Sequence, residues 1–154
     1  MKIKVLWVGK SRDPWVKDAI DEYAGRIRRY IPLDLVDIRD EKGAEAEEMR
    51  RRECERLEKQ IPPGSTLILL DERGEQLDSP ALAAFVGKQR DCGAGELVFV
   101  IGGAYGFSEE FRRRGKLLAL SKMTFTHQMV RVFLLEQIYR AFTILKGHPY
   151  HSGH

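Results

Sequence analysis

Two stretches, Leu67-Ile68-Leu69-Leu70 and Leu97-Val98-Phe99-Val100-Ile101, are apolar at every position. Each is of strand length and punctuated by breakers: Pro62-Pro63-Gly64 before the first and Gly102-Gly103 after the second. A strand with one face in water alternates between polar and apolar residues. One that does not alternate must be covered on both faces, the situation of a parallel sheet with helices on either side. This feature limits the chain to an α/β layered fold.

The remaining segments fit that frame. Ile3 to Val8 and Leu33 to Ile38 read as further strands. Pro14 sits where a helix starts, with Asp13 as its N-cap, and Trp15, Ala19, Ile20, Tyr23, Ala24 and Ile27 recur at helical spacing. Ala44 to Gln60 places Glu and Arg three to four apart, as on a solvated helix. Ser79-Pro80 opens a helix to about Arg90, Ser108 opens a short one, Leu117 to Leu120 is a strand, and a long helix runs from about His127 to Leu145. No linker or repeat interrupts the pattern, which predicts one domain over residues 1–154. A chain of this length buries close to ~70% of its unfolded surface and needs no disulfide or metal to fold. Cys54 and Cys92 belong to no CxxC pair and read as free thiols. No apolar run approaches the ~18 residues of a membrane span, and MKIKVLWVGK fits a first strand better than a signal peptide. The expectation is a soluble, cytoplasmic protein without membrane contact. A formal charge of +3 permits a nucleic-acid partner without arguing for one.

In the last helix Met129, Val130, Val132, Phe133, Leu134, Leu135, Ile138, Tyr139, Ala141, Phe142, Ile144 and Leu145 spread around most of the circumference. A helix apolar nearly all round is buried nearly all round. A homodimer partner is the favoured cover, and a central place in the subunit's own core is the alternative.

Three segments are candidates for chemistry. Gly102-Gly103-Ala104-Tyr105-Gly106-Phe107 follows a buried strand, where glycines let backbone amides approach a ligand, although its spacing is not GxGxxG and a plain tight turn explains it as well. Leu120-Ser121-Lys122-Met123-Thr124-Phe125-Thr126-His127 joins a strand to the last helix, and Leu70-Asp71-Glu72-Arg73-Gly74 ends another strand. Ligands of open parallel sheets bind beyond such carboxyl ends. The tail Gly147-His148-Pro149-Tyr150-His151-Ser152-Gly153-His154 offers histidines at i, i+3 and i+6, but no acidic or Cys partner, so a chain end or a lid is favoured over a metal site. Within the last helix Glu136 and Arg140 are spaced to pair, and Arg131 is placed to face a pocket. Arg112-Arg113-Arg114 reads as a solvated face.

The segments FVIGGAYGF, LSKMTFTHQMVRVFLLEQIYRA and GHPYH, with MKIKVLWVGK and LLDERG, together resemble the bacterial ribosomal RNA large subunit methyltransferase H family. The resemblance spans essentially the whole chain, with no family expectation for Ser152-Gly153-His154. It implies a SPOUT fold, a parallel sheet flanked by helices with a C-terminal trefoil knot, assembled as a homodimer. It also implies transfer of a methyl group from S-adenosyl-L-methionine (SAM) to N3 of a pseudouridine in 23S rRNA, on the ribosome and without a metal. Carried over by residue, the SAM site comprises Leu70, Gly102 and Leu120, Ser121, Lys122, Met123, Thr124 and Phe125, with Gly103 from the same turn.

The acceptor N3 must lose a proton. The residues expected to serve that step are Tyr150, which orients or stacks on the base, His151, which takes the proton, and Arg131, which stabilises the anion. A nucleotide-dependent oxidoreductase needs an acidic ribose anchor about 20 residues beyond the glycines, and Leu117 to Thr126 offers none. A ribosome-binding module without chemistry is separated by SAM binding, and a metal hydrolase on the tail histidines by metal analysis.

Overall fold

A computed structural model describes residues 1–152; His154 of the histidine series, with Gly153, lies outside them. The elements are β1 (Lys2–Val8), α1 (Pro14–Arg28), β2 (Leu33–Ile38), α2 (Ala46–Glu58), β3 (Thr66–Gln76), α3 (Ser79–Asp91), β4 (Glu96–Ile101), α4 (Glu109–Arg112), β5 (Lys116–Ala119) and α5 (His127–Leu145). The five strands form one parallel sheet in the order β2-β1-β4-β3-β5.

The non-alternating runs lie at the centre of this sheet, with a core on each face. On one side Ile3, Val5, Ile68, Leu97 and Phe99 pack with α1, α3 and α5; on the other Leu6, Leu69, Val98 and Val100 pack with Cys54 and Leu57 of α2 and Phe111 of α4. Every side chain of these runs therefore leaves water, whichever way it points. Each fully buried Leu, Ile or Phe contributes roughly 1.5–3 kcal/mol.

Helix α5 shares its face of the sheet with α1 and α3. Tyr139 meets the rings of Tyr23 and Tyr30 at 6.2 and 6.3 Å, and Phe142 stacks on Tyr30 at 5.8 Å. Leu145 packs so closely on α3 that a Cβ added to Gly87 would stand 2.9 Å from its Cδ2. Much of the cover assigned in the sequence to a second subunit is thus supplied within the subunit. Met129, Val132 and Phe133 remain only half-buried.

Strand β3 continues past Leu70, where the sequence suggested a turn. Leu118 of β5 pairs with both Leu70 and Glu75, so residues 71–74 bulge out of the ladder. Gly74 makes the bulge possible: a Cβ there would stand 2.5 to 2.7 Å from the backbone of Leu117 and Leu118. The bulge lets one strand leave the sheet plane and rejoin the same neighbour, turning Asp71, Glu72 and Arg73 toward the carboxyl edge.

Candidate functional site

The parallel sheet puts all strand ends at one edge, and three of them enclose a cavity of about 690 Å³. Strand β3 contributes Leu70 to Arg73, β4 contributes Ile101 to Phe107, and β5 with its following loop contributes Leu118 to Ser121 and Met123 to Phe125. The first turn of α5 closes it with His127 and Val130. Of the residues expected at the cofactor site, Leu70, Gly102, Gly103, Leu120, Ser121, Met123, Thr124 and Phe125 all line this cavity. Lys122 is exposed and does not line it.

The glycines are required by close approach. A Cβ on Gly102 would lie 3.1 Å from the Phe107 ring, and one on Gly103 would lie 2.9 Å from Glu53 Oε1 and 3.1 Å from Val8 Cγ1. The turn closes when Gly106, at φ +72°, donates its N–H to the Gly103 carbonyl at 3.0 Å. Behind the turn Glu53 is 3% exposed. Its Oε2 accepts the Glu41 N–H at 2.9 Å, and burial pushes the carboxyl above the usual range.

The walls combine apolar and charged groups. Leu70, Leu118, Leu120, Phe125 and Val130 offer flat apolar contact, and Ser121 and Thr124 offer hydroxyls. On one rim Asp71 pairs with Arg112 at 3.1 Å. Arg112 is 9% exposed and also meets Glu109 at 3.1 Å, so the first arginine of the triplet is buried structure, not a solvated face. Arg50 of α2 donates to the Tyr105 carbonyl at 2.9 Å, tying that helix to the glycine turn. His127 is held below its ordinary value by burial, reinforced by the charge of Arg131.

The structure does not bring Arg131, Tyr150 or His151 to this cavity. Arg131 is 1% exposed, with its guanidinium over the Trp7 ring at 5.1 Å, donating to the Val8 carbonyl at 2.9 Å and to Ser11 Oγ at 3.1 Å. Burial pulls its pKa down to about 10. The tail through Ser152 folds back on α5. There Tyr150 meets Tyr139 edge-on at 4.7 Å, lies under Arg140 at 4.8 Å and donates to Glu136 Oε1 at 3.4 Å. Its phenol is pushed up to about 12, first by burial. Arg140 is paired with Glu136 at 2.5 Å, the i,i+4 pair expected from spacing, and contacts His151 Nδ1 at 3.0 Å.

The profile of the family described as Predicted SPOUT methyltransferase matches residues 1–151. The chain belongs to the SPOUT methyltransferase family. Among its relatives, a protein named Ribosomal RNA large subunit methyltransferase H from Pelobacter propionicus is 76% identical over 151 residues, covering 98% of this chain and 99% of the relative. Proteins of that name from Geobacter metallireducens and Geobacter sulfurreducens are each 65% identical, covering 99% and 98% of this chain and 100% and 99% of the relatives. A solved structure described as a probable methylase family protein from Haemophilus influenzae matches with a TM-score of 0.57 at 11% identity, covering 97% of this chain and 70% of that one. At that identity the match supports the SPOUT fold alone.

Two residues lining the cavity of this SPOUT methyltransferase had no sequence signal. Arg50 stands among the charged residues of a helix read as solvated, and Glu109 opens a helix of only four residues. Neither periodicity nor motif spacing distinguishes them from surface charges.

Proposed function

We propose that this methyltransferase transfers a methyl group from SAM to N3 of a pseudouridine in 23S rRNA, on the ribosome in the cytoplasm. The observation that carries this reading is the convergence of eight expected cofactor residues from three separate strand ends on one cavity. Its volume lies within the ~300–1,000 Å³ usual for small-molecule sites. The lining fits the donor: leucine and phenylalanine side chains for a base, hydroxyls for a ribose, and backbone at Gly102 and Gly103, where an added Cβ would come within 3.1 and 2.9 Å of its neighbours. Near-identity in length to relatives named for the large-subunit rRNA supports the substrate.

When bound, the sulfonium supplies an electrophilic methyl carbon. The chain's task is to align the acceptor nitrogen with that carbon and keep water away, mainly positioning. N3 must also give up its proton. Within one subunit the tail is docked on α5 and lies outside the cavity lining, so we assign Tyr150 and His151 to the cavity of a partner subunit in a homodimer. Half-buried Met129, Val132 and Phe133 on α5 support such a dimer. Arg140 donates to His151 Nδ1, so this contact must open before that nitrogen takes the N3 proton. Opening also frees Arg140 Nη1 to stabilise the resulting anion, while Nε and Nη2 stay on Glu136. The trefoil knot and the single-domain extent belong to the same reading.

The test is transfer of labelled methyl from SAM to ribosomes and to free 23S rRNA, with mapping of the modified nucleotide. Label at N3 of a pseudouridine is expected; label elsewhere, or none with SAM bound, refutes the assigned substrate. For the shared site, Gly103→Leu and His151→Ala enzymes, each inactive alone, should regain activity when mixed as heterodimers. No recovery despite heterodimer formation counts against it.

A further inference from the structure

Residues 9–13, between β1 and α1, are held by side chains far away in the sequence. Gln128 Nε2 donates to the Lys10 carbonyl at 3.3 Å and its Oε1 accepts the Arg12 N–H at 3.1 Å. Arg131 grips the same loop from beneath through Val8 O and Ser11 Oγ. Its guanidinium rests on Trp7, whose indole N–H donates to Asp37 at 2.5 Å. Gly9, at φ +90°, turns the chain into this clamp.

The clamp fixes the backbone while leaving the cations outside. Lys10 and Arg12 are exposed, and among the described residues neither forms an ion pair, in contrast to Arg51, Arg52 and Arg56 of α2. Three residues beyond Arg12, Trp15 is 54% exposed, the most exposed aromatic side chain among the described large apolar residues. Asp13 is the one carboxylate within residues 9–17, which also hold Lys17.

Position gives this segment its meaning. Trp7 of β1 pairs with Ile101 of β4, so the loop leaving β1 and the glycine turn leaving β4 emerge side by side. The first turn of α5 serves both, His127 lining the cavity and Gln128 holding the loop. With a net charge of only +3, a general positive field cannot gather RNA. A few cations on a preorganised backbone can, because the ordering is complete before binding.

We infer that Lys10, Arg12 and Trp15 form an RNA-contact rim beside the cavity, the cations meeting backbone phosphates and the indole stacking on an unpaired base. Arg131 and Gln128 are then positioning residues for this rim. The inference rests on the rRNA methylation reading and adds where the RNA backbone lies.

The experiment measures ribosome KM and direct ribosome binding over a range of salt concentrations for Lys10→Ala, Arg12→Ala, Trp15→Ala, Trp15→Phe and Gln128→Ala enzymes. SAM affinity and oligomeric mass are followed in parallel. Each cation removed should lower the log–log salt slope by about 1 and raise KM roughly fivefold at ~0.15 M salt. Trp15→Ala should weaken binding roughly tenfold, with Trp15→Phe recovering most of it. Gln128→Ala, which keeps both charges, should raise KM and leave the slope unchanged. SAM affinity should stay constant throughout. Unchanged KM and slope in both the Lys10→Ala and the Arg12→Ala enzymes overturns the rim. So does a change in oligomeric mass, which assigns the face to subunit packing. If the unmodified enzyme binds ribosomes without methylating them, the function reading fails while the binding data still decide the rim. If it binds no RNA at all, both fail.

Discussion

Replacing Gly74 by alanine tests the link between the β3 bulge and the cavity. The added Cβ would stand 2.5 Å from the Leu117 carbonyl carbon, 2.6 Å from the Leu118 nitrogen and 2.7 Å from the Leu117 oxygen. Relieving these overlaps requires a separation close to ~1 Å beyond the present one, and the obstacle is backbone on both sides, with no side chain able to swing away. Gly74 has no left-handed φ, so the penalty is steric, offset only in small part by the lower entropy of the unfolded chain. Overpacking of this kind costs about 1–3 kcal/mol, and a backbone-to-backbone clash belongs at the upper end. For a chain of this size each kcal/mol moves Tm by about 2–4 °C, so a loss of roughly 6–12 °C is expected. Because Leu118 pairs on both sides of the bulge and Leu120 to Phe125 follow directly, SAM affinity should fall with the melting temperature. Gly25→Ala is the control. Gly25 lies in the interior of α1 with nothing within 4 Å of an added Cβ, so the same chemical change should stabilise by about 0.5–1 kcal/mol. Calorimetric melts and SAM titrations of both variants decide the matter. A Gly74→Ala protein that melts within about 2 °C of the parent and binds SAM equally well would refute the steric account.

Two further outcomes follow from buried charge. Glu53 has its carboxyl value raised by burial, so the folded protein holds that proton more tightly than the unfolded chain. This contribution to stability is full below about pH 4.3, the ordinary carboxyl value, and is lost as pH rises through the raised folded value. Glu53→Gln should therefore flatten the pH dependence of urea-unfolding stability above about pH 4, and parallel curves for the two proteins would remove the role assigned to this carboxyl. Removing the guanidinium in Arg112→Met leaves Asp71, 11% exposed, with only the Arg73 N–H at 2.9 Å and the exposed Arg73 guanidinium at 3.6 Å, at a cost of about 2 kcal/mol, below that of a wholly unpaired buried charge. The Asp71→Asn/Arg112→Met double variant should recover much of that loss; a single variant within about 0.5 kcal/mol of the parent would show that the pair behaves as a surface one.

Much of the fold and part of the site were legible in the linear chain because the signals are local. Leu67 to Leu70 and Leu97 to Ile101 announce strands covered on both faces, whatever covers them, since apolar side chains at consecutive positions leave no face for water. Glycines after β4 and the Leu120–Phe125 segment marked strand ends, and parallel strands bring their ends to one edge as a matter of geometry. What distance in sequence conceals, only the tertiary structure decided. Strand order put β4 between β1 and β3, making the glycine turn a neighbour of both the β1 loop and the β3 bulge. The helical pattern made α5 apolar all round, but α1 and α3, not periodicity, determined which residues were covered within the subunit. Arg131 shows the difference most plainly. Its spacing on α5 is that of a residue free to face a pocket, and its burial on Trp7 arises from a contact 124 positions away, which no local pattern of side chains records.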